Sequence, residues 1–439
     1  MLLWGGMPAT DPMTDLTHAT PEQLRSIHDA SRRRYDDFVT RGVKLDLTRG
    51  KPSSEQLDLA GALLALPGTA DFLAADGSDT RNYGVLQGLP ELRELMAPLF
   101  GLQPKHTIIA DNSSLGLMHD SIAYALLCGT SDSPHPWSKN ARVSFLCPVP
   151  GYDRHFAICQ DFGIEMIPVP MTETGPDLDL VERLVKDDDS IRGMWCMPKY
   201  SNPTGTVYSE ETVERLAAMT AAAPDFRLFW DNAYAVHHLT ADRIEIANIV
   251  TACERHGHPN RPFVYGSTSK ITLAGAGVAL FGSSANNVAW YLKRMGRRTI
   301  GGDKVNQLRH VRFLRDRDGL LALMDAHRAV IAPKFATVIS TFDTHLTGCG
   351  VARWTQPKGG YFVSLDVLDG CASEVVQLAR QAGVELTPAG STFPRGKDPD
   401  NRNIRIAPTY PDRAAVGQAA EGVALSVLVA TTSALIARR

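Results

Sequence analysis

The sequence predicts an α/β protein: a large domain with a mixed, mostly parallel sheet flanked by helices, followed by a smaller α/β domain. Three observations predict it. Four short apolar runs each end in a polar cluster: Val143–Cys147 before Pro148–His155, Met194–Met197 before Pro198–Gly205, Arg227–Trp230 before Asp231–Tyr234, and Phe263–Tyr265 before Gly266–Lys270. Strand-like and helical stretches alternate between them, the pattern of parallel strands joined by helical crossovers. At 439 residues the chain exceeds one hydrophobic core, and from Val351 its elements become shorter. The expected division is a flexible N-terminus over 1–19, a segment over 20–60 that joins the small domain, a large domain over 61–318 and a small domain over 319–439.

Taken in order, Thr20 to about Thr40 reads as a polar helix, with Thr20 as N-cap and Pro21 in the first turn. Leu45–Pro52 is an extended segment ending in a cationic turn of Arg49, Gly50 and Lys51, either a solvated loop or the edge of an anion site. Arg81–Arg93 is a glycine-punctuated loop feeding a helix. The strand-like Thr107–Ala110 turns through Asp111–Gly116 into an apolar helix reaching Leu127. Such a strand, small polar turn and helix form an anion cradle, because a helix N-terminus offers unpaired N–H groups and partial positive charge. Asn287–Arg312 reads as two basic helices around a loop, and Gly319 to about Leu346 as one long helix. Tyr361–Leu365 and Asn403–Ala407 are strand-like, with a turn at Leu386–Pro388. Val423–Ala437 is apolar but shorter than the roughly 20 residues of a membrane span, and reads as a packed terminal helix.

Composition narrows the function. A hydrophobic content of 44% with 21% charged residues is that of an ordinary globular chain, and a net charge of -3 gives no electrostatic reason to expect nucleic acid or a membrane surface. The seven cysteines are scattered without a C-x-x-C pair, which argues against a disulfide framework or a metal site and fits the cytoplasm.

Tyr265–Gly277 holds the most unusual residue, Lys270, set behind Ser267, Thr268 and Ser269 and before an apolar, glycine-rich run. Alone it reads equally as a strand end with an incidental lysine. Its surroundings also suit a desolvated amine of lowered pKa, able to form a Schiff base with a carbonyl. In an open parallel sheet, ligands collect beyond the carboxyl ends of the strands. That rule brings Tyr152, His155, Asn202, Asp231, Tyr234 and Lys270 to one crevice.

In combination and order, Asn202-Pro203-x-Gly205, Asp231-x-x-Tyr234, Ser267-x-Ser269-Lys270 and the late Arg405 resemble the fold-type I, pyridoxal-phosphate-dependent aminotransferases of class I/II. The similarity runs from Leu45 to Ile406 and is nearest to a divergent bacterial aspartate aminotransferase subgroup. It implies pyridoxal 5'-phosphate as cofactor and a homodimer acting on amino acids and 2-oxo acids. The implied reaction carries the amino group of L-aspartate to 2-oxoglutarate, giving oxaloacetate and L-glutamate. By the same resemblance Lys270 is the Schiff-base lysine, Asp231 pairs with the pyridine nitrogen, and Asn202 and Tyr234 donate to the phenolic oxygen. Tyr152 stacks on the ring and His155 supports Asp231. Ser113, Ser114, Ser267 and Ser269 cradle the phosphate, and Tyr83 reaches that of the neighbouring subunit. Arg405 grips the α-carboxylate, with Gly50 and Asn202 beside the substrate.

The chain departs from the family pattern at Val278, where an arginine usually meets the phosphate. Lys304 and Arg298 are the candidates to replace it. Arg49, Lys51, Arg297 and Arg298 are candidates for the side-chain carboxylate of the substrate. Alternative functions are an aminotransferase for aromatic or neutral amino acids, a lyase or synthase of the same fold, and a cofactor-binding regulator. The last needs a helix-turn-helix domain, for which the residues before Leu45 leave no room. A dinucleotide-binding dehydrogenase lacks its glycine fingerprint.

Overall fold

A computed structural model of the protein describes residues 15–439. The expected flexible N-terminus therefore falls mostly outside the described residues. Of its last part, Leu16 is buried, and its N–H donates to Cys349 O at 3.0 Å.

The chain begins with α1 (Pro21–Thr40), β1 (Leu45–Asp46), α2 (Ser54–Asp58), α3 (Pro90–Met96), β2 (Thr107–Ala110) and α4 (Ser114–Cys128). There follow β3 (Ser144–Val149), α5 (Asp153–Asp161), β4 (Glu165–Thr172), β5 (Gly175–Pro176), α6 (Leu178–Asp187) and β6 (Ile191–Cys196). Then come α7 (Glu210–Ala218), β7 (Arg227–Asp231), α8 (Ile249–Arg255), β8 (Pro262–Ser267) and β9 (Ala279–Gly282). The helices α9 (Ala285–Met295), α10 (Lys304–Leu314) and α11 (Arg317–Leu346) lead into β10 (Ala352–Trp354), β11 (Val363–Val367), α12 (Ala372–Gln381), β12 (Val384–Glu385), β13 (Asn403–Ile406) and α13 (Arg413–Ala437).

Eight strands form the main sheet in the order β2-β9-β8-β7-β6-β3-β4-β5. It is parallel except for β9, which runs antiparallel to both of its neighbours, and the short β5. Its inner strands β3, β6, β7 and β8 are buried on both faces, so they read in the sequence as short apolar runs. Successive side chains feed opposite cores: Leu146, Leu228, Trp230 and Val264 pack on one face, and Phe145, Cys147, Phe229, Phe263 and Tyr265 on the other. β4 gave no strand signal because it carries Pro168 and Pro170. It pairs in parallel with β3 all the same, Cys147 opposite Pro168 and Val149 opposite Pro170.

A second unit is built from both ends of the chain. β11 lies between β10 and β13 in an antiparallel sheet, and β1 pairs with β12. Helix α1 starts as expected: the Thr20 hydroxyl accepts from Gln23 N–H, and the Gln23 side chain accepts from Thr20 N–H. It packs on α13. That helix starts ten residues before the expected Val423, capped by Asp412; in residues 413–422 only one face, with Val416, Ala419 and Ala420, is buried, while Arg413, Ala414 and Gln418 are exposed, which interrupts the apolar pattern. Its 25 residues are long and apolar enough to cross a membrane, but 78% of the most apolar window is buried inside the protein. Gly422 lets it approach α1, since a Cβ there would lie 2.8 Å from the Phe38 ring.

Candidate active site

The carboxyl ends of β2, β3, β6, β7 and β8 open on a cavity of about 620 Å³, walled on the other side by Thr48–Gly50, Phe362, Leu386–Pro388 and Arg405. Lys270, Asp231, Tyr234, Tyr152, Asn202, Ser113, Ser114, Ser267, Ser269, Arg405 and Gly50 all line it. Tyr83 does not; its side chain lies outside, 80% exposed.

Asp231 ends β7 and is 3% exposed. Its Oδ2 lies 3.0 Å from His155 Nε2 on α5, while Oδ1 is buried with no partner among the described residues. The His155 ring stacks on Trp195 at 4.2 Å, and Trp195 Nε1–H donates to Cys159 Sγ at 3.2 Å. The histidine is thus fixed, and with it one carboxylate oxygen. The other is left without a donor in a site that burial has desolvated, a cost the protein alone does not offset.

Lys270 lies in a single helical turn after β8, where the N–H groups of Ile271 and Thr272 both donate to Thr268 O at 2.9 Å. Three buried histidines brace that turn. His237 donates to Lys270 O at 3.2 Å and His327 to Ile271 O at 2.9 Å, while His310 Nε2 meets the hydroxyls of Thr272 and Thr268. Burial and the nearby lysine hold His237 well below its ordinary pKa, so it stays neutral. The Lys270 amine is 5.2 Å from the centre of the Tyr234 ring and 5.9 Å from that of Tyr361. Desolvation by these walls pushes its pKa below that of an ordinary lysine, and the charge of Asp231 acts in the opposite sense. The result is an amine biased toward its nucleophilic form.

Ser113 caps α4, its hydroxyl accepting from Leu115 N–H at 3.2 Å, and the first turn of the helix faces the cavity. The Ser267 hydroxyl donates to Ser269 Oγ at 3.1 Å, and Ser269 in turn reaches Asn112 O at 3.4 Å. Hydroxyls and helix N–H groups therefore meet at one end of the cavity. Val278 is buried, and its N–H donates to Thr268 Oγ1 at 2.9 Å. Neither proposed replacement cation lines the cavity. Lys304 donates to Asn82 O and Gly84 O at 2.6 and 3.0 Å, and Arg298 pairs with Asp111 and Asp120 at 2.7 and 3.0 Å.

At the opposite end Arg405 projects from β13, with its guanidinium 5.1 Å above the centre of the Phe362 ring. Gly50 lies so near that ring that a Cβ would sit 2.3 Å from its Cζ, which only glycine avoids. Of the arginines in the wall, Arg380 pairs with Glu385 at 3.3 Å, whereas Arg49 and Arg154 have no carboxylate partner among the described residues. Of the other expected distal cations, Lys51 lies 3.7 Å over the Tyr410 ring, and Arg297 does not line the cavity. Sequence reasoning passed over Asp153, Arg154 and Thr387. The first two stand between Tyr152 and His155 in a cluster already singled out, so a signal was present.

The family profile described as aspartate amino-transferase matches residues 19–439. An aspartate aminotransferase of Corynebacterium glutamicum is 51% identical over 409 residues, 93% of this chain and 94% of that one. The crystal structure of an aspartate transaminase from that organism has a TM-score of 0.94 at 50% identity, covering 96% of this chain and 99% of the other. The α-aminoadipate aminotransferase of Thermus thermophilus, complexed with N-(5'-phosphopyridoxyl)-L-leucine, shares the fold at a TM-score of 0.72 and 20% identity, over 91% of this chain and 96% of its own.

Proposed function

This chain belongs to the aspartate amino-transferase family, and on that premise we propose that it transfers the amino group of L-aspartate to 2-oxoglutarate with pyridoxal 5'-phosphate as cofactor. The observation that carries the cofactor is Asp231 Oδ1, a buried acceptor without a donor in the same cavity as the desolvated Lys270 amine. A protonated pyridine nitrogen would supply the missing donor. Ser113, Ser114, Ser267 and Ser269 would hold the phosphate, Tyr152 the ring face, and Asn202 and Tyr234 the phenolic oxygen. When bound, the cofactor supplies a carbonyl that takes up the amino group and a ring that withdraws electrons from the substrate Cα.

The chain's own residues do the rest. Lys270 Nζ, free of covalent attachment once substrate is bound, accepts the Cα proton of the donor amino acid. In the second half-reaction it returns a proton to Cα of the acceptor oxo acid, and because the first product leaves before that acid binds, the kinetics are ping-pong. Arg405 holds the α-carboxylate and so aims the Cα–H bond at Lys270. Arg49 and Arg154 face the side-chain carboxylate, and this cationic wall favours acidic substrates over the aromatic or neutral alternative. The free thiols support a cytoplasmic setting. The exposed Tyr83 ring supports a homodimer in which it meets the neighbouring subunit.

Rapid mixing of the cofactor-loaded protein with L-aspartate, L-glutamate, L-alanine and L-phenylalanine, followed by visible absorbance, tests the substrate. The two acidic amino acids are expected to react about 100-fold faster, since only they carry a side-chain carboxylate to meet the cations of this wall. Similar rates for alanine or phenylalanine would move the assignment to the alternative.

A further inference from the structure

Arg405 is already engaged by a carboxylate of its own chain. Its Nη1 lies 2.7 Å from Asp153 Oδ1, and the two side chains are 7% and 34% exposed. Nη1 is also 3.5 Å from Asn202 Oδ1, and Nη2 is 3.5 Å from Thr387 Oγ1. Nε is buried without a partner among the described residues. A guanidinium grips a carboxylate in two-pronged fashion through Nη1 with Nη2, or through Nε with one Nη. Burial closes the Nε edge to an incoming ligand. The edge that remains is Nη1–Nη2, and Asp153 holds half of it.

We propose that Asp153 is an internal competitor for the substrate α-carboxylate, a specificity and turnover element of the site. The inference rests on the aminotransferase reading above. An arriving amino acid must displace Asp153 from Nη1 to be held by both prongs. The displaced carboxylate has a second place to go, because Asp153 is the first residue of α5, where a negative charge meets the unpaired N–H groups and positive end of the helix. When the product oxo acid leaves, Asp153 returns and re-neutralises a guanidinium that would otherwise stand buried and uncompensated. Two effects follow. Every ligand that binds through its α-carboxylate is weakened by the same factor, and product release is assisted by the returning carboxylate. The device also removes a reason for Arg405 to retain stray anions between turnovers.

Asp153→Asn, which keeps the shape and deletes the charge, and Asp153→Ser, which also shortens the side chain, test this in the cofactor-loaded protein. For both variants KM for L-aspartate and for L-glutamate is expected to fall about tenfold, the scale of losing one partly buried ion pair to the anchor. The dissociation constant of maleate, a dicarboxylate that carries no amino group to transfer, measured by calorimetry, should fall by a similar factor. In parallel kcat should decline by about threefold, because the product is held more tightly. A merely structural role for Asp153 would raise KM instead, as Arg405 lost its orientation. An unchanged or raised KM together with unchanged or weaker maleate binding, in variants of a wild type that turns over aspartate, would overturn the inference alone. A wild type with no activity on any amino acid would overturn the aminotransferase reading beneath it, whatever the variants did with maleate.

Discussion

Lys270→Ala is expected to lower kcat for L-aspartate by more than about 10⁴-fold, because one amine serves both as attachment point and as the base at Cα. Among the described residues no other lysine lines the cavity, so none is placed to take over. The visible spectrum of the loaded variant should resemble that of free pyridoxal phosphate, its carbonyl having no lysine to condense with. Folding should survive. Desolvation disfavours the charged form of this amine and lowers its pKa, so removing it relieves a cost at neutral pH, and the melting temperature should hold or rise. Activity within tenfold of wild type, with the wild-type spectrum, would remove Lys270 from the chemistry.

Asp231→Asn carries the second large effect, a fall in kcat of about 10²–10³-fold. The carboxylate has one oxygen fixed by His155 and the other buried and unsatisfied, so a neutral amide of the same shape keeps the first contact and loses the charge that favours a protonated ring nitrogen. The loss should fall on kcat more than on KM, since Arg405, Arg49 and Arg154 still face the substrate. Asp231→Glu restores the charge with a displaced carboxylate and should recover part of the rate. Should Asp231→Asn retain kcat within threefold of wild type, the unpartnered oxygen would need another explanation.

Much of the candidate site was legible in the chain because most of its residues lie in the turns that follow the strands of the main sheet, Arg405 inside β13 being an exception. β7 ends at Asp231 and β8 runs to Ser267, while Tyr152 and Asn202 lie in the turns after β3 and β6. In a parallel sheet those ends face the same way, so a list of turn residues is already a list of neighbours. The same logic failed for charges. Lys304 and Arg298 were reasonable phosphate partners by composition, but one is consumed by backbone carbonyls and the other by two aspartates. Elements with contradictory local signals were also hidden, as with the prolines of β4 and the polar start of α13.

Residue order alone was enough for the alternation of elements, the lysine and its hydroxylated approach, and the aspartate, asparagine and tyrosine that accompany it. These are matters of residue type and short spacing, which local conformational preference translates directly into structure. Which cations stay unpaired among the described residues depends on the packed fold. It left Arg154 and Arg49 at the cavity without acid partners among the described residues and joined Arg405 to Asp153 across 252 positions of sequence. The pairing of a charge depends on what packing brings within a few ångströms of it, and no pattern along the chain encodes that distance.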